Sequence, residues 1–151
     1  MADDVELLER MRAKQAPTSA LLGLHLESVN SEEGRTRFRM LVTGQFCNPM
    51  GSLQGGIVTT ALDDAAATAV IVKTGRRVGV PTIEFKVSFF GPARLGQTVW
   101  FEGRVLKLGR TVSFAEADMT DESGRLLARL TTSCMVVEVD GPGLFVEKTP
   151  A

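Results

Sequence analysis

The sequence predicts an α+β domain in which a curved antiparallel β-sheet wraps around one long central helix, with a short helix before it. Residues 55–73 are nearly all apolar and rich in alanine, and Gly75 follows them, which predicts a helix buried on most sides. The segments after this helix alternate apolar and polar residues and are joined by short turns, a pattern typical of antiparallel strands. Two strand-like segments precede the helix, so the expected order is β-β-α-β-β-β-β.

The elements before the central helix are predicted from the spacing of their apolar residues. Residues 3–15 carry apolar side chains at helical spacing, and Pro17 is expected to end this helix. Residues 22–29 predict the first strand and residues 34–42 the second. The basic residues of the second strand alternate with positions expected in the core, which indicates a solvated outer face carrying Arg35, Arg37 and Arg39.

The remaining strands are expected at residues 81–89, 97–106, 111–120 and 125–139. The turns KLGR and DESG lie between the last three of these strands, so each consecutive pair is expected to form a hairpin. The predicted organisation is a helical extension at residues 1–19, one domain at 20–139 and a loose tail at 140–151.

Composition restricts the class of protein. The chain has 151 residues, enough for one domain with a sizeable core. Its formal net charge of -1 argues against nucleic acid as the main partner. The N-terminus lacks the apolar core of a signal peptide and no run of 18 apolar residues occurs, so we expect no membrane association and a cytoplasmic location.

The cysteines and the histidine do not form a recognisable catalytic pattern. Cys47 and Cys134 are expected to be free thiols in a reducing compartment, because a secreted disulfide scaffold would carry more cysteines. The single histidine, His25, is the one available base for a cysteine nucleophile and no motif connects them, so we interpret it as structural. No metal and no cofactor are expected.

Two carboxylates in the apolar helix are the most informative feature of the sequence. Asp63 and Asp64 lie among alanine, threonine and leucine, where an aspartate is rare without a partner. Adjacent helix positions point roughly 100° apart, so at most one of the two is expected to be catalytic. The other is expected to face solvent or to bond across an interface.

The start of the same helix predicts a site for a developing negative charge. Gly55 and Gly56 stand where unpaired N–H groups and the positive end of the helix dipole meet, and glycine allows close approach of a ligand. Such a site can polarise a thioester carbonyl. Gly55 and Asp63 are eight positions apart, roughly 12 Å of helix, so one carbonyl cannot reach both in one subunit. Action on one thioester therefore requires a dimer with antiparallel helices.

These residues also carry a family resemblance. The stretch from Asn48 through Gly51 and Gly55-Gly56 to Asp63 resembles the signature of hotdog-fold thioesterases, which runs Asn, Gly, His-Gly-Gly and then Asp on the helix. It is most similar to the PaaI-like group, related to 4-hydroxybenzoyl-CoA thioesterases. Later segments resemble the family as well, and the resemblance covers about residues 20–139.

The resemblance implies a function and a role for each matching position. It implies a hotdog fold and hydrolysis of an aromatic or medium-chain acyl-CoA to free acid and CoA. Asp63 would be the general base or the nucleophile, Gly55 would give its N–H to the thioester carbonyl, and Asn48 would contact the carbonyl or the water. Thr82 would help to place the water, on the subunit that supplies Asp63. A homodimer that pairs with a second one into a homotetramer is the implied assembly.

The chain departs from the family pattern where Gln54 replaces the histidine before Gly-Gly. Gln54 and its neighbour Gly56 are expected to contact the substrate. Glutamine can form a hydrogen bond there, but its side chain does not change protonation state near neutral pH. CoA phosphates require cations, and the candidates at turns are Arg110, Lys107 and Arg94.

Three other interpretations remain open. A non-catalytic acyl-CoA-binding hotdog protein is favoured by Gln54. A hotdog hydratase or dehydratase would need a histidine near the helix, which the sequence lacks. A purely structural module would leave the carboxylates in the helix unexplained.

Overall fold

The computed structural model of the protein describes residues 3–140. Its elements are, in chain order, α1 (Asp4–Ala13), α2 (Pro17–Leu22), β1 (His25–Asn30), β2 (Arg35–Leu41), a 3-10 turn (Gly44–Phe46), α3 (Gly55–Thr74), β3 (Val78–Gly79), β4 (Thr82–Phe89), β5 (Thr98–Leu108), β6 (Val112–Thr120), β7 (Leu126–Met135) and β8 (Val137–Glu138).

Six strands form one antiparallel sheet in the order β1-β2-β5-β6-β7-β4. The hairpins β1-β2, β5-β6 and β6-β7 join neighbours, whereas α3 carries the chain from the β2 side to the far edge at β4. Register shifts interrupt several of these pairings, and such bulges bend a sheet. The predicted α+β hotdog arrangement, a sheet wrapped around one helix, is confirmed.

The central helix lies against the sheet through small side chains. The buried positions of α3 are dominated by alanine, and Ala61, Ala65 and Ala69 are completely buried. Gly103 of β5 faces the backbone of this helix so closely that a Cβ there would overlap the carbonyl oxygen of Ala65. The hydroxyl of Thr36 on β2 donates a hydrogen bond of 2.8 Å to the same carbonyl. These contacts at Ala65 therefore fix the distance between α3 and the sheet, here called the height of α3.

The helix ends as the sequence predicts. Gly75 follows α3 with a φ of 60°, the left-handed conformation that closes many helices and that glycine adopts without strain. By length and hydropathy alone α3 could also cross a membrane, a property that it shares with core helices of soluble proteins. Here its alanine, valine and leucine side chains are buried in the core described above.

The outer face of the sheet is charged but not simply solvated. Arg37 pairs with Glu27 and Glu102 and stacks over the Trp100 ring at 5.3 Å, and Arg39 also pairs with Glu27. A second cluster joins β5, β6 and β7, where Asp118 lies between Arg104 and Arg129. The prediction that the arginines face outward is confirmed, and the structure adds that most of them form cross-strand ion pairs.

The two edges of the sheet differ. At the β1 edge, Arg12 of α1 donates to the carbonyls of Leu26 and Glu27 at 2.7 and 3.2 Å, and Gln15 donates to the carbonyl of Leu24. These side chains satisfy acceptors that an edge strand would otherwise present to another chain. At the β4 edge, no segment within residues 3–140 pairs with the outer side of the strand.

Several predicted boundaries were wrong. Pro17 does not only end the first helix; it begins α2, because proline suits the first turn of a helix. The strand predicted at 22–29 starts three residues later, since Leu22 ends α2 and Gly23 caps it with a φ of 69°. The strand predicted at 125–139 is divided into β7 and β8, and the short β3 that pairs with β8 was not predicted. The tail predicted at 140–151 lies, after residue 140, outside the described residues.

Candidate active site

Asp63 lies near the middle of α3, at the side of the helix that faces the beginning of β4. The hydroxyl of Thr82, the first residue of β4, donates a hydrogen bond of 3.1 Å to Asp63 Oδ1. Burial raises the pKa of Asp63 above the usual range of a carboxyl group, and the hydrogen bond from Thr82 lowers it in part. The result is a partly desolvated carboxylate, held in place by a strand, that can accept a proton or attack a carbonyl carbon.

Asp64 has a different environment, and the prediction for it was wrong. It neither faces open solvent nor needs an interface, because Ser19 of α2 donates a hydrogen bond of 2.6 Å to its Oδ2. Burial raises the pKa of Asp64, the hydrogen bond from Ser19 opposes this rise, and the neighbouring charge of Asp63 adds to it. Sequence reasoning missed Ser19, because the helix α2 that carries it was not predicted.

Asn48 organises the loop before α3. Its Oδ1 accepts hydrogen bonds from the N–H groups of Met50 at 3.0 Å and of Ser52 at 3.2 Å, and its Nδ2 donates to Ser52 Oγ at 3.0 Å. An asparagine before such a turn commonly bonds the backbone two residues on, which is the signal that could have predicted this arrangement. One N–H of the side chain remains for a further acceptor, because an amide carries two.

The start of α3 presents donors without acceptors. The N–H groups of Gly55 and Gly56 have no hydrogen-bond partner within residues 3–140. A Cβ on Gly55 would stand 3.4 Å from the ring of Phe89, and one on Gly56 would meet no atom within 4 Å. Gln54 caps the helix through its backbone, and its exposed side chain makes no capping hydrogen bond. The backbone here is therefore accessible to a carbonyl oxygen or an anion.

The structure divides the predicted site residues into two groups. Asp63 and Thr82 are in contact, and Asn48, Gln54, Gly55 and Gly56 lie together around the start of α3. Eight helix residues, roughly 12 Å, separate the two groups in one subunit, as the sequence predicts.

The basic residues proposed for the CoA phosphates lie at opposite ends of the molecule. Arg94 forms a bridge with Ser52, beside the loop that leads into α3. Arg110 and Lys107 belong to the β5–β6 hairpin. The N–H of Val136 donates to the carbonyl of Thr111 in this hairpin, and β8, which follows Val136, pairs with β3, the strand that follows α3. Arg94 is thus on the Gly55 side, and the hairpin is on the side of the C-terminal end of α3.

Neither cysteine is hydrogen-bonded to a base that could activate it as a nucleophile. Cys47 donates to the carbonyl of Thr43, and the buried Cys134 lies near the carbonyl of Ser113. Burial raises the pKa of the Cys134 thiol, and the Asp63 charge raises it further, so this thiol stays protonated near neutral pH. His25 is exposed at the start of β1. Within residues 3–140, no group of three or more His, Cys, Asp or Glu is placed to hold a metal ion.

Comparison with known proteins agrees with this architecture. The sequence pattern of the thioesterase superfamily matches residues 50–128. Human acyl-coenzyme A thioesterase 13 is 28% identical over 102 residues, which cover 67% of this chain and 72% of that protein. The crystal structure of a thioesterase family protein from Silicibacter pomeroyi is 30% identical and superposes with a TM-score of 0.78, covering 89% of this chain and 98% of that one.

The Escherichia coli PaaI protein from the phenylacetic acid degradation operon superposes with a TM-score of 0.79 over 93% of this chain and 96% of that one. At 18% identity this likeness concerns the fold alone. The family match and a sheet wrapped around one central helix define a hotdog-fold thioesterase. The chain belongs to the thioesterase superfamily, as a PaaI-like hotdog thioesterase.

Proposed function

We propose that the protein hydrolyses the thioester bond of an aromatic or medium-chain acyl-CoA and releases the free acid and CoA. The observation that carries the proposal is the carboxyl group of Asp63, held by Thr82 in the middle of an apolar helix and partly desolvated there. The name of the human relative, acyl-coenzyme A thioesterase 13, supports the CoA ester as substrate. A Streptococcus pneumoniae thioesterase of the same fold was crystallised with coenzyme A, which supports it further.

The chemistry follows from the two groups of residues. The N–H of Gly55, with that of Gly56 beside it, would donate a hydrogen bond to the thioester oxygen and stabilise the negative charge of the tetrahedral intermediate. Asp63 would remove a proton from a water molecule whose oxygen attacks the carbonyl carbon, and Thr82 would orient that carboxylate. The C–S bond then breaks, CoA leaves as a thiolate, and the proton held by Asp63 can neutralise it.

The alternative route makes Asp63 the nucleophile. Its carboxylate oxygen would attack the carbonyl carbon, expel the CoA thiolate and form a mixed anhydride, which water would then hydrolyse. The two routes differ in the origin of the oxygen that enters the acid. In a single turnover in H₂¹⁸O, a general base gives an ¹⁸O-labelled acid, whereas a nucleophile whose anhydride is opened by water at the Asp63 carbonyl carbon gives an unlabelled acid and leaves the label on Asp63.

The distance between Gly55 and Asp63 requires a second subunit in this proposal. The open β4 edge supports pairing of two chains through that strand. Phe85 and Phe89 of β4 are 45% and 55% exposed, although they pair with Thr132 and Ala128, whose side chains are buried on the inner face of the sheet; Ile83, in the bulge at the start of the strand, is 55% exposed. A partner that paired with β4 would bury these side chains and bring its own α3 towards Gly55. Pairing of such dimers into a tetramer remains part of the proposal, as does a cytoplasmic location.

The same geometry would divide the CoA contacts between subunits. Arg94 would act from the Gly55 side, whereas Arg110 and Lys107 would come from the subunit that supplies Asp63, because they lie near the C-terminal end of α3. Charge reversal at Arg110 should then raise KM for every acyl-CoA alike and leave kcat nearly unchanged, since the phosphates are remote from the reacting bond.

The central test is release of free thiol from a panel of acyl-CoAs, measured with Asp63→Asn and with Asp64→Asn as the matched control. Asp63→Asn should lower kcat by at least about 100-fold, the usual contribution of a positioned general base. Asp64→Asn should keep most of the activity, because Asn can still accept the hydrogen bond from Ser19. An unchanged rate in a folded Asp63→Asn dimer would contradict the assignment.

A non-catalytic acyl-CoA binder is the second candidate, and Gln54 favours it because the family histidine is absent. It predicts that the wild-type protein binds an acyl-CoA without releasing thiol from any member of the panel. In that case Gln54→His alone should not introduce hydrolysis, unless the Asp63 carboxylate is already placed to act on the thioester. A hydratase is not favoured by any contact of His25, which lies on β1 and not at the start of α3.

A further inference from the structure

A cavity of about 1010 Å³ lies between the N-terminal helices and α3, on a side of α3 different from that of Asp63. Asp64, Ala67, Thr68 and Ile71 line it, whereas neither Asp63 nor Thr82 does. Its volume is at the upper end of the range of about 300–1,000 Å³ that small-molecule sites occupy. None of the roles proposed above uses this cavity.

The walls of the cavity are largely apolar along its length. Leu7 and Met11 of α1 face Ala67 and Ile71 of α3 across it, and Phe38 of β2 contributes to its lining. The lining of α3 extends from Asp64 to Thr74, a separation of ten positions or roughly 15 Å of helix. An extended hydrocarbon chain advances less than one C–C bond of ~1.5 Å per carbon, so this length matches about twelve carbons.

The charges around the cavity are strongly asymmetric. One carboxyl group lines it, that of Asp64, and it is already bonded to Ser19. The basic side chains that line it are Arg10, Arg12, Lys14, Lys73, Arg76 and Arg77.

Not all of these cations are engaged elsewhere. Arg12 and Lys73 donate to backbone carbonyls, and Arg76 pairs with Glu138. Arg10 and Arg77 make no ion pair within residues 3–140. Arg77 is the third residue after the end of α3, at the opposite end of the lining from Asp64. An anion placed there would be attracted by Arg77 and kept away from the Asp64 carboxyl by repulsion.

We propose that this cavity binds an acyl chain of about twelve carbons that carries an anionic head group, with the chain along α3 and the head group at Arg77. The wall formed by α1 can open to admit it, since α1 has no fully buried residue and is attached to β1 through side-chain hydrogen bonds. The binding site stands without the proposed hydrolysis; the assignment of the ligand's source rests on that function.

The direct test is calorimetric titration of the whole protein with dodecanoate below its micellar concentration, with butanoate as the short-chain comparison. Dodecanoate should bind and butanoate should bind at least about tenfold more weakly, because most of the apolar contact is lost. Ala67→Phe should weaken dodecanoate binding at least about tenfold by filling the cavity. Arg77→Glu should weaken it by about fivefold or more, while Arg35→Glu, an equally exposed charge reversal paired with Glu33, should leave it unchanged.

Absence of dodecanoate binding by the folded wild-type protein would overturn the proposal. So would equal affinities for wild type and for both Ala67→Phe and Arg77→Glu, with melting curves showing that the variants are folded. Because titration needs no hydrolysis, the result is independent of the proposed function. Dodecanoate binding by a wild-type protein that releases no thiol from any acyl-CoA would support the cavity and contradict the proposed function.

The source of the chain is settled by hydrolysis of acyl-CoAs of different lengths. If the cavity holds the acyl group of the substrate, Ala67→Phe should lower kcat/KM for dodecanoyl-CoA at least about tenfold and spare butanoyl-CoA. If it holds a separate fatty acid, Ala67→Phe should weaken dodecanoate binding and leave kcat/KM for both esters unchanged. Either pattern supports the binding site, and equal losses for both esters without loss of dodecanoate binding would contradict it.

Discussion

Gly103→Ala is expected to damage both the fold and the site, because this position lies where α3 approaches the sheet. A Cβ on residue 103 would overlap the carbonyl oxygen of Ala65 and stand 2.9 Å from Thr36 Oγ1, both well inside ordinary contact. The obstacle is backbone rather than a flexible side chain, so the helix must withdraw by roughly 1 Å to restore a C···O separation of about 3.3 Å.

The cost of that withdrawal can be estimated from its parts. Overpacking of a core contributes about 1–3 kcal/mol and loss of the hydrogen bond from Thr36 to Ala65 about 1 kcal/mol, which together predict a melting temperature lower by about 5–15 °C. Asp63 stands two residues before Ala65, so it would move relative to Thr82 as well. A displacement of this size at a catalytic group lowers rates by on the order of 100-fold.

The assay is thermal unfolding together with thiol release, measured on Gly103→Ala, Thr36→Val and Gly44→Ala. Thr36→Val removes the hydrogen bond without the overlap and should cost about 1 kcal/mol. Gly44→Ala is the control, because its nearest neighbour, Leu95 Cδ1, would be 3.9 Å from the new Cβ. A Gly103→Ala protein that melts with the wild type and keeps its full rate would refute the claim that the sheet sets the height of α3.

Three further predictions concern charge and assembly. Asp118→Asn should lower stability at pH 7 by about 1–3 kcal/mol. Burial alone would raise the pKa of Asp118, but hydrogen bonds from Arg129 and Arg104 outweigh it and hold the pKa below the usual range. This stabilisation is present above the carboxyl's unfolded pKa and is lost as pH falls through the lower folded value, so the melting curves of variant and wild type should converge in acid. Because the pKa of Asp63 is raised, kcat/KM should begin to fall in acid at a higher pH than it would for an ordinary aspartate. The raised pKa also means that the ionised carboxylate costs stability, so Asp63→Asn should be more stable than wild type above the folded pKa of Asp63. Below the usual pKa of an aspartate this difference should disappear. Phe85→Lys should yield a monomer by sedimentation with loss of thiol release, and an active Phe85→Lys dimer would contradict pairing through β4.

The long elements of the fold and their order could be predicted from the sequence, whereas the short elements between them could not. The apolar run of α3 and the two-residue periodicity of the later strands extend over many residues, and the bounds of α3, β4, β5 and β6 were predicted to within two residues. The helix α2 and the strands β3 and β8 are too short to show a period. They are stabilised by tertiary contacts, such as the hydrogen bond between Ser19 and Asp64, and a local sequence pattern does not predict such contacts.

The candidate site shows the same division. The spacing from Gly55 to Asp63 predicts their separation, because helix rise per residue is constant. The structure also joins Thr82 to Asp63, a pairing for which the family resemblance supplied the hint. The pairing of Asp64 was not predicted, since it depends on where Ser19 lies in space and not in sequence. The loop role of Asn48 was missed although its partners, Met50 and Ser52, are close in sequence. The catalytic roles of the site residues remain predictions for the variants above.

The contacts of Arg12 and Gln15 with β1 also limit how far chains of this protein can associate. A sheet with two exposed edges can add copies without end, as fibrils do, whereas a sheet with one exposed edge is consumed by a single addition. With Arg12 and Gln15 bonded to carbonyls at one edge, the proposed assembly through β4 would end after two chains. The N-terminal helix would then stop further strand addition, and deletion of residues 1–16 should convert a finite particle into one that grows with concentration.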